Sequence, residues 1–387
     1  MRNEKIISIA VVPDRMAHYR LAVFRALAHL DQSKFEFIYF GEKKDDIGDI
    51  KLIDPGEFIY NNGRIIEWKE TTDIYYKGRC LWQSRLIRVA LSKRYKILIL
   101  WGESHRLSTW IAAFLARLKG KKVVFWTHGL YGSENLLKKW FRIVFYRLGN
   151  AILLYGSYAK GLLSPFIPDS KLYVINNSLD VAEQNLIYNT LSHEDKIILY
   201  NKLTNSSGKL IGFVGRLTSV KKLELLLEAI AILKGKGVYG YVIFIGDGEQ
   251  KGILGLLSRS LGVEEQVIFY GECYANEILI PLLSACDVVV SPGNVGLTAM
   301  HALISGTPVI THSNASKQMP EFEAVIDGVS GFLFKEGSID DLVEKIILCL
   351  DLIKQGLINN ESCRSIVLER YSPEYQLSIF RKVLTSV

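Results

Sequence analysis

The stretch Ser291-Pro-Gly-Asn-Val-Gly-Leu-Thr298 constrains the fold more than any other part of the chain. It follows an apolar run, Cys286-Asp-Val-Val-Val290, and leads into a short apolar helical pattern that stops at Gly306. A second apolar run begins at Thr307. A strand, a glycine loop and a helix in this order put bare N–H groups and the positive end of a helix at the carboxyl end of a parallel strand, a place where anions bind. The stretch therefore predicts a parallel sheet flanked by helices, with a phosphate-accepting loop at 293–298.

The same alternation runs along the whole chain. Strand-like runs fall at 5–12, 35–40, 95–101, 122–127, 150–155 and 171–176, then at 209–214, 240–245, 267–270, 286–290, 307–311 and 331–334. Most are apolar on both faces, as parallel strands covered by helices must be. Between them the period changes: Leu223, Leu226, Leu227, Ile230 and Leu233 fall on one helical stripe. Two such series predict an α/β protein of two doubly wound, Rossmann-like domains, and 387 residues exceed what one ordinary core supports. The expected division is an N-terminal domain over 1–185, a polar linker over 186–208 and a C-terminal domain over 209–370. A last helix over 371–387, opened by Ser372-Pro373, is in a position to pack back on the N-terminal domain. Residues 42–80 look irregular and read as a long loop or small excursion.

Charge and cysteine usage narrow the class. The net charge of +7 divides into +11 over residues 1–190 and −4 over the remainder. A basic half beside an acidic half points to one lobe that faces an anionic surface or substrate. No zinc-finger or RNA-binding signature accompanies the basic residues, which argues against nucleic acid. Cys80, Cys273, Cys286, Cys349 and Cys363 are scattered, so neither a disulfide framework nor a zinc site is indicated, and a cytoplasmic setting fits. Ile6–Val12 is preceded by charges and closed by Pro13-Asp-Arg15, so it reads as a strand rather than a signal segment, and no apolar run approaches the roughly 18 residues of a membrane span. Two segments mix cations with large apolar residues, Lys138–Arg147 and Arg79–Arg94. Amphipathic basic helices of this kind can lie on anionic lipid, which makes the inner membrane face an expected docking surface.

Six pieces in the second half carry a resemblance: Gly212-Phe-Val-Gly-Arg-Leu217 with Lys221, Val242-Ile-Phe-Ile-Gly-Asp-Gly248, Val267-Ile-Phe-Tyr-Gly271, Asp287-Val-Val-Val-Ser-Pro292, Gly306-Thr-Pro-Val-Ile310 and Ile326-Asp-Gly-Val-Ser-Gly-Phe-Leu333. In this order they resemble the retaining glycosyltransferases of family 4, which have the GT-B architecture of two Rossmann-like domains facing a cleft. The first half resembles the family more loosely through His18-Tyr-Arg20, Thr127-His-Gly129 and Val174–Asp180. The resemblance implies a nucleotide-sugar donor on the C-terminal domain and a glycan or lipid-linked acceptor on the N-terminal domain. No cofactor or metal is expected.

The residues themselves agree with that division. Arg216 follows a strand and Lys221 opens the next helix; a guanidinium fork and an ammonium can together neutralise a departing diphosphate. The loop Asn294, Val295, Gly296, Leu297 and Thr298 is expected to cradle the donor, with Gly215, Gly246 and Asp247 placed there by the family motif. The family carries two glutamates eight positions apart around this loop. Their positions hold Gly293 and His301 here, so both are replaced. His301 could meet the ribose instead, and Glu323, which aligns with a family glutamate, or its neighbour Glu321 could take over the sugar contact. His128 matches a family histidine near the reacting sugar. Glu103, at a strand end, is an acceptor-side candidate together with His18, Tyr19 and Arg20. The expected function is a retaining glycosyltransferase in bacterial surface polysaccharide synthesis. The alternatives are another GT-B enzyme such as a nucleotide-sugar epimerase, and a non-catalytic nucleotide-sugar-binding protein.

Overall fold

The computed structural model describes residues 6–13, 17–42, 53, 60–61, 64–76, 79–205 and 208–387. The chain forms two compact units, Met1–Asp180 with Pro373–Val387, and Val181–Ser372.

The strands are β1 Ile7–Val12, β2 Phe35–Glu42, β3 Tyr60–Asn61, β4 Arg64–Ile65, β5 Glu67–Thr71, β6 Asp73–Tyr76, β7 Arg79–Gln83, β8 Tyr95–Trp101, β9 Lys122–Thr127, β10 Ala151–Leu154 and β11 Leu172–Val174 in the first unit. The second has β12 Lys209–Val214, β13 Gly240–Ile245, β14 Val267–Gly271, β15 Val288–Ser291, β16 Val309–His312 and β17 Gly331–Phe334. The first unit is built on a parallel sheet in the order β11-β10-β9-β8-β1-β2-β5, the second on one in the order β14-β13-β12-β15-β16-β17. Both orders run outward in two directions from the first strand of the unit, which is the doubly wound arrangement. Both faces of each sheet are apolar because both are covered: β10, β13 and β15 are buried at every position.

Every strand-like run of the sequence forms a strand within a few residues of its expected bounds. The irregular region 42–80 holds further strands that the sequence did not announce. There β5 adds to the edge of the first sheet beside β2, and β6 pairs antiparallel with β7. Their residues, such as Glu67-Trp-Lys-Glu-Thr71, are polar and partly exposed, so they lack the continuous apolar run of a central strand. Arg79–Arg94, read as a basic amphipathic stretch, is instead β7, a turn and a short helix, Leu86–Leu91. Arg94 there is committed to Glu67 and Glu36 through contacts of 2.5 and 3.2 Å.

The polar segment expected to be a linker is folded. Residues 186–208 include the second half of a helix, Val181–Thr190, and all of a second one, His193–Thr204, and both belong to the second unit. The second helix is started by a capping box: the Ser192 hydroxyl accepts from Asp195 N at 3.0 Å and the Asp195 carboxylate accepts from Ser192 N at 3.0 Å. Caps rather than an apolar stripe specify this helix, which is why hydrophobic periodicity misses it. The last helix, Pro373–Ser386, lies in the first unit. Phe380 packs edge-on against Trp126 at 5.3 Å, and Ile379, Val383 and Leu384 are buried in the same core. Each such side chain contributes about 1.5–3 kcal/mol of burial. Among the described residues no helix is long and apolar enough to cross a membrane.

Candidate functional site

In a doubly wound sheet the strands that flank the reversal of order send their following loops to opposite faces, and a crevice opens at their carboxyl ends. In the second unit those strands are β12 and β15. β12 runs into Gly215 and Arg216; β15 runs into the loop 292–297 and the helix Thr298–Ile304. The sequence-predicted cations and the predicted phosphate loop therefore meet at one point.

Lys221 is the centre of this point. Its ammonium donates to Asn294 O and Asn294 Oδ1, both at 2.7 Å. Burial pulls its pKa down to about 8, against the pull of Glu321; Arg216 adds to the lowering. Gly293 N donates to Lys221 O at 2.8 Å, and a Cβ on Gly293 would stand 2.1 Å from Val220 O. No side chain could fit on this backbone path. Gly215 adopts φ +136° and Gly246 φ +148°, and a Cβ on Gly246 would stand 2.0 Å from Gly215 O, so the ends of β12 and β13 touch backbone to backbone.

The cradle is narrower than expected. Val295 N is used by Gln318 Oε1 at 2.9 Å, so its N–H does not face a ligand. Gln318 also donates to Thr311 Oγ1 and His312 O, both at 2.8 Å, and so clamps the loop to β16. Thr298 Oγ1 donates to Val214 O at 2.7 Å and ties the helix start to β12. What remains for an anion at this end are the backbone groups of Gly296, Leu297 and Thr298 and the amide of Asn294. Asp247 lies at the surface, its carboxylate held by Gly248 N at 2.7 Å and Lys251 Nζ at 2.8 Å; these hold its pKa below the usual carboxylate range. Of the two glutamates, Glu321 is 3% exposed and acts on Lys221, whereas Glu323 is half-buried. Nothing in the sequence marked Gln318, which sits in a polar, aperiodic stretch.

His301 is held in one tautomer. Glu183 can only accept, and it accepts from Asn276 Nδ2 at 2.7 Å; Asn276 Oδ1 then accepts from Gln184 Nε2 at 3.1 Å, and the same Nε2 donates to His301 Nδ1 at 2.9 Å. The neutral ring therefore carries its proton on Nε2. Burial pulls its pKa down to about 4, so the ring is neutral near pH 7.

The first unit has its own crevice at the corresponding place, the carboxyl ends of β1, β8 and β9. A cavity of about 930 Å³ there is lined by Tyr19, Arg20, Glu103 and His128, and further by Trp101, Arg106, Tyr131, Glu134, Lys138 and Arg142. All four of the first group were singled out from the sequence; of the fifth such residue, His18, only the backbone is described, in the 3-10 turn His18–Arg20. Arg20 lies over the Trp101 ring at 4.2 Å, with Tyr19 and Tyr155 at 5.2 and 5.4 Å. His128 packs against Tyr155 at 4.7 Å, and burial together with the charges of Arg20 and Arg142 pulls its pKa down to about 4. Arg142 donates to Gly129 O and faces Glu134 at 3.4 Å. The sequence placed Arg142, Phe145 and Tyr146 on a lipid-facing helix. In the structure Phe145 and Tyr146 are core residues and Arg142 turns into the cavity.

Residues 195–357 match the family model described as glycosyl transferases group 1. The match begins inside the helix His193–Thr204, which had been expected to be linker. An uncharacterized glycosyltransferase, MJ1607, of Methanocaldococcus jannaschii is 30% identical over 210 residues, which cover 53% of this chain and 51% of that protein. The matches to curated relatives span between 29% and 67% of those proteins' length, 51% for MJ1607. Over the whole chain the fold is similar to the crystal structure of Anabaena HepE in complex with UDP, with TM-score 0.71, 18% identity and coverage of 99% and 100%. It is also similar to the lipopolysaccharide outer core galactosyltransferase WaaB, with TM-score 0.69, 14% identity and coverage of 98% and 100%. The fold is thus GT-B, two Rossmann-like units, as the sequence predicts.

Proposed function

We propose that this protein is a retaining glycosyltransferase that moves a sugar from a nucleotide sugar to a glycan acceptor in the synthesis of a surface polysaccharide. The observation that carries this reading is Lys221: a half-buried ammonium, fixed on the glycine loop at the β12–β15 switch point, with Arg216 close enough to act on it. A half-buried ammonium is costly, and one with a second cation beside it suits a site whose charge arrives with the ligand. The diphosphate of the donor supplies that charge, and its charge grows as the glycosidic bond breaks. The phosphate oxygens meet Arg216, Lys221 and the backbone of 296–298. His301 Nε2–H donates to a ribose hydroxyl oxygen, and Glu321 or Glu323 takes the sugar contact. The first unit holds the acceptor among Tyr19, Arg20 and Glu103, with His128 as a neutral hydrogen-bonding group. No metal is needed for charge neutralisation in this scheme. The UDP complex of HepE makes uridine diphosphate sugars the first donors to test. Incubation of the purified protein with a panel of nucleotide sugars is expected to release nucleoside diphosphate, faster with acceptor present. Release of no nucleoside diphosphate from any donor would overturn the reading.

Replacing His301 tests the ribose contact. His301→Ala is expected to weaken binding of free nucleotide by about tenfold, the loss of a hydrogen bond in a buried site. Gln184→Ala, which frees Nδ1, should weaken it less, because the Nε2 tautomer is then only one of two. Titration calorimetry with unchanged affinity in His301→Ala removes the residue from the site.

We also propose that the first unit docks on anionic membrane. Leu107, Ile111, Phe114 and Leu118 form an exposed stripe on the helix Leu107–Leu118, and Leu136, Leu137, Trp140, Phe141 and Val144 form another on the helix Leu136–Tyr146. Trp110 and Phe141 join the two helices at 4.8 Å. Exposed Arg117, Lys119, Lys138 and Arg147 border these stripes. Each cation near an anionic surface contributes about 1 kcal/mol. Co-sedimentation with phosphatidylserine vesicles is expected at low salt, with loss at high salt. Trp140→Ser with Leu137→Ser should reduce it several-fold. Equal recovery with neutral vesicles would overturn the electrostatic part of the proposal.

A further inference from the structure

Little apolar burial seats the helix Val181–Thr190. Of its ten residues only Val181 and Gln184 are buried. Gln184 Nε2 donates to His301 Nδ1 at 2.9 Å, so the placement of this helix sets the placement of that bond. Gln184, Asn185, Tyr188 and Asn189 are spaced to share one side of the helix. The last three meet a single side chain, Arg364 of the helix Asn360–Arg370.

Arg364 is 5% exposed. Its Nη2 donates to Asn185 Oδ1 at 2.6 Å and to Asn189 Oδ1 at 3.2 Å, and the guanidinium lies over the Tyr188 ring at 3.5 Å. Tyr188 Oη in turn accepts from Asn360 Nδ2 at 2.8 Å. The other arm of the fork, Nη1, donates to Ile304 O at 2.8 Å. That carbonyl ends the helix Thr298–Ile304, and its need for an outside donor is written in the sequence. The residue four positions on is Pro308, which has no N–H, and Thr307 N is given to Ala302 O at 3.0 Å. Ile304 is fully buried, so water does not answer its carbonyl. A cation there also opposes the partial negative charge of the helix end. All three acceptors of Arg364 are neutral. A guanidinium buried among neutral oxygens is costly for stability. What it gains is geometry, because a planar fork fixes several bonds at once and an ammonium does not.

We propose that Arg364 is a positioning residue for His301: it bonds the helix Val181–Thr190 to the end of the helix Thr298–Ile304 and so holds Gln184 on His301 Nδ1. Its bearing on the reaction rests on the reading of His301 as the ribose contact. Arg364 acts through Gln184 and not on the donor itself.

The test follows the imidazole ¹⁵N signals of the ligand-free full chain, with His301 identified by His301→Ala. The signal of a bare ring nitrogen moves when its hydrogen bond is lost, so His301 Nδ1 reports the Gln184 contact directly. Gln184→Ala sets the size and direction of that movement. Arg364→Lys, which keeps the charge and loses the fork, is expected to move the signal the same way by a comparable amount. Asn185→Ala combined with Asn189→Ala leaves the bond from Arg364 to Ile304 O in place and should do likewise; it decides the matter where Arg364→Lys does not fold. Asn359→Ala is the control. It removes the capping box of the helix Asn360–Arg370 and lowers stability without touching the fork, so the signal should stay where it is. An unmoved signal in a folded Arg364→Lys or in the double asparagine variant overturns the proposal, as does an equal movement in Asn359→Ala. Affinity for UDP is read separately. Arg364→Lys is expected to weaken it about threefold. Combined with Gln184→Ala the loss should stay near that of the single variants, because both act on one contact. Losses that multiply overturn the proposal. If His301→Ala leaves UDP affinity unchanged, the ribose reading falls, and the nitrogen signal still decides whether Arg364 holds the ring.

Discussion

Lys221→Met is expected to lower turnover by about 10² to 10³ while making the ligand-free protein more stable near neutral pH. The first half follows from the loss of a cation opposite the leaving diphosphate, where removal of one such group typically costs that factor. The second follows from the sign of the pKa shift. Burial holds the folded-state pKa of Lys221 at about 8, below its ordinary value of 10.5. The unfolded chain therefore binds more protons than the folded one between those two values, and stability rises with pH across that window. Below pH 8 the full cost of burying the ammonium is present, of the order of 1–3 kcal/mol. It disappears above the unfolded value. Methionine keeps the volume and drops the charge, so the advantage of the variant should be largest at pH 7 and fade by pH 10. Thermal melts of both proteins at the two pH values, beside initial rates of nucleoside diphosphate release, give the comparison. Turnover within threefold of wild type would remove Lys221 from the site. A stability difference that does not change with pH would show that the amine is not strained by its surroundings.

The parts of this molecule that were legible in the sequence are those written in hydrophobic period and in glycine. β12, β13 and β15 are continuous apolar runs because two layers of helices cover them, and a short apolar run bounded by turn residues suits a strand buried on both faces. The loop at 293–298 was legible because Gly293 answers to backbone proximity and Gly296 to a positive φ of 51°, not to a side-chain preference. The parts that were not legible depend on hydrogen bonds between residues far apart in the chain. Gln318 holds Val295 from 23 positions away, and Gln184 holds His301 from 117. Neither glutamine differs in sequence context from a surface residue. Arg142 failed in a different way. Its place in Lys138–Arg147 allowed a lipid-facing or an inward-facing cation, and only the packing of Phe145 on Phe125, at 4.5 Å, sets the helix rotation that turns it inward. The acceptor candidates Tyr19, Arg20 and Glu103 and the catalytic candidate His128 follow three strands and spread over more than 100 residues; the parallel order β9-β8-β1 brings them to one cavity.

Gly293→Ala is expected to abolish measurable donor binding, a loss of at least about 100-fold, at a cost of a few °C in melting temperature. The added methyl would stand 2.1 Å from Val220 O and 2.7 Å from Lys221 Cα, both backbone atoms that no rotamer change can move aside. Overpacking of this kind typically costs about 1–3 kcal/mol and forces the backbone to shift. The segment that must shift is the one that positions Lys221 on Asn294, where contacts of 2.7 Å leave little slack. Displacement by about 1 Å is enough to lose a factor of about 10² in a site that works by positioning. Gly255→Ala is the matched control. It lies in the helix Lys251–Ser260, a Cβ there meets nothing within 4 Å, and alanine in a helix interior should stabilise by about 0.5–1 kcal/mol. The melting temperature should therefore fall in Gly293→Ala and rise in Gly255→Ala, while nucleotide affinity by calorimetry should change only in Gly293→Ala. If Gly293→Ala binds nucleotide as wild type does, the loop it begins is not the donor cradle, and the glycine answers to backbone packing alone.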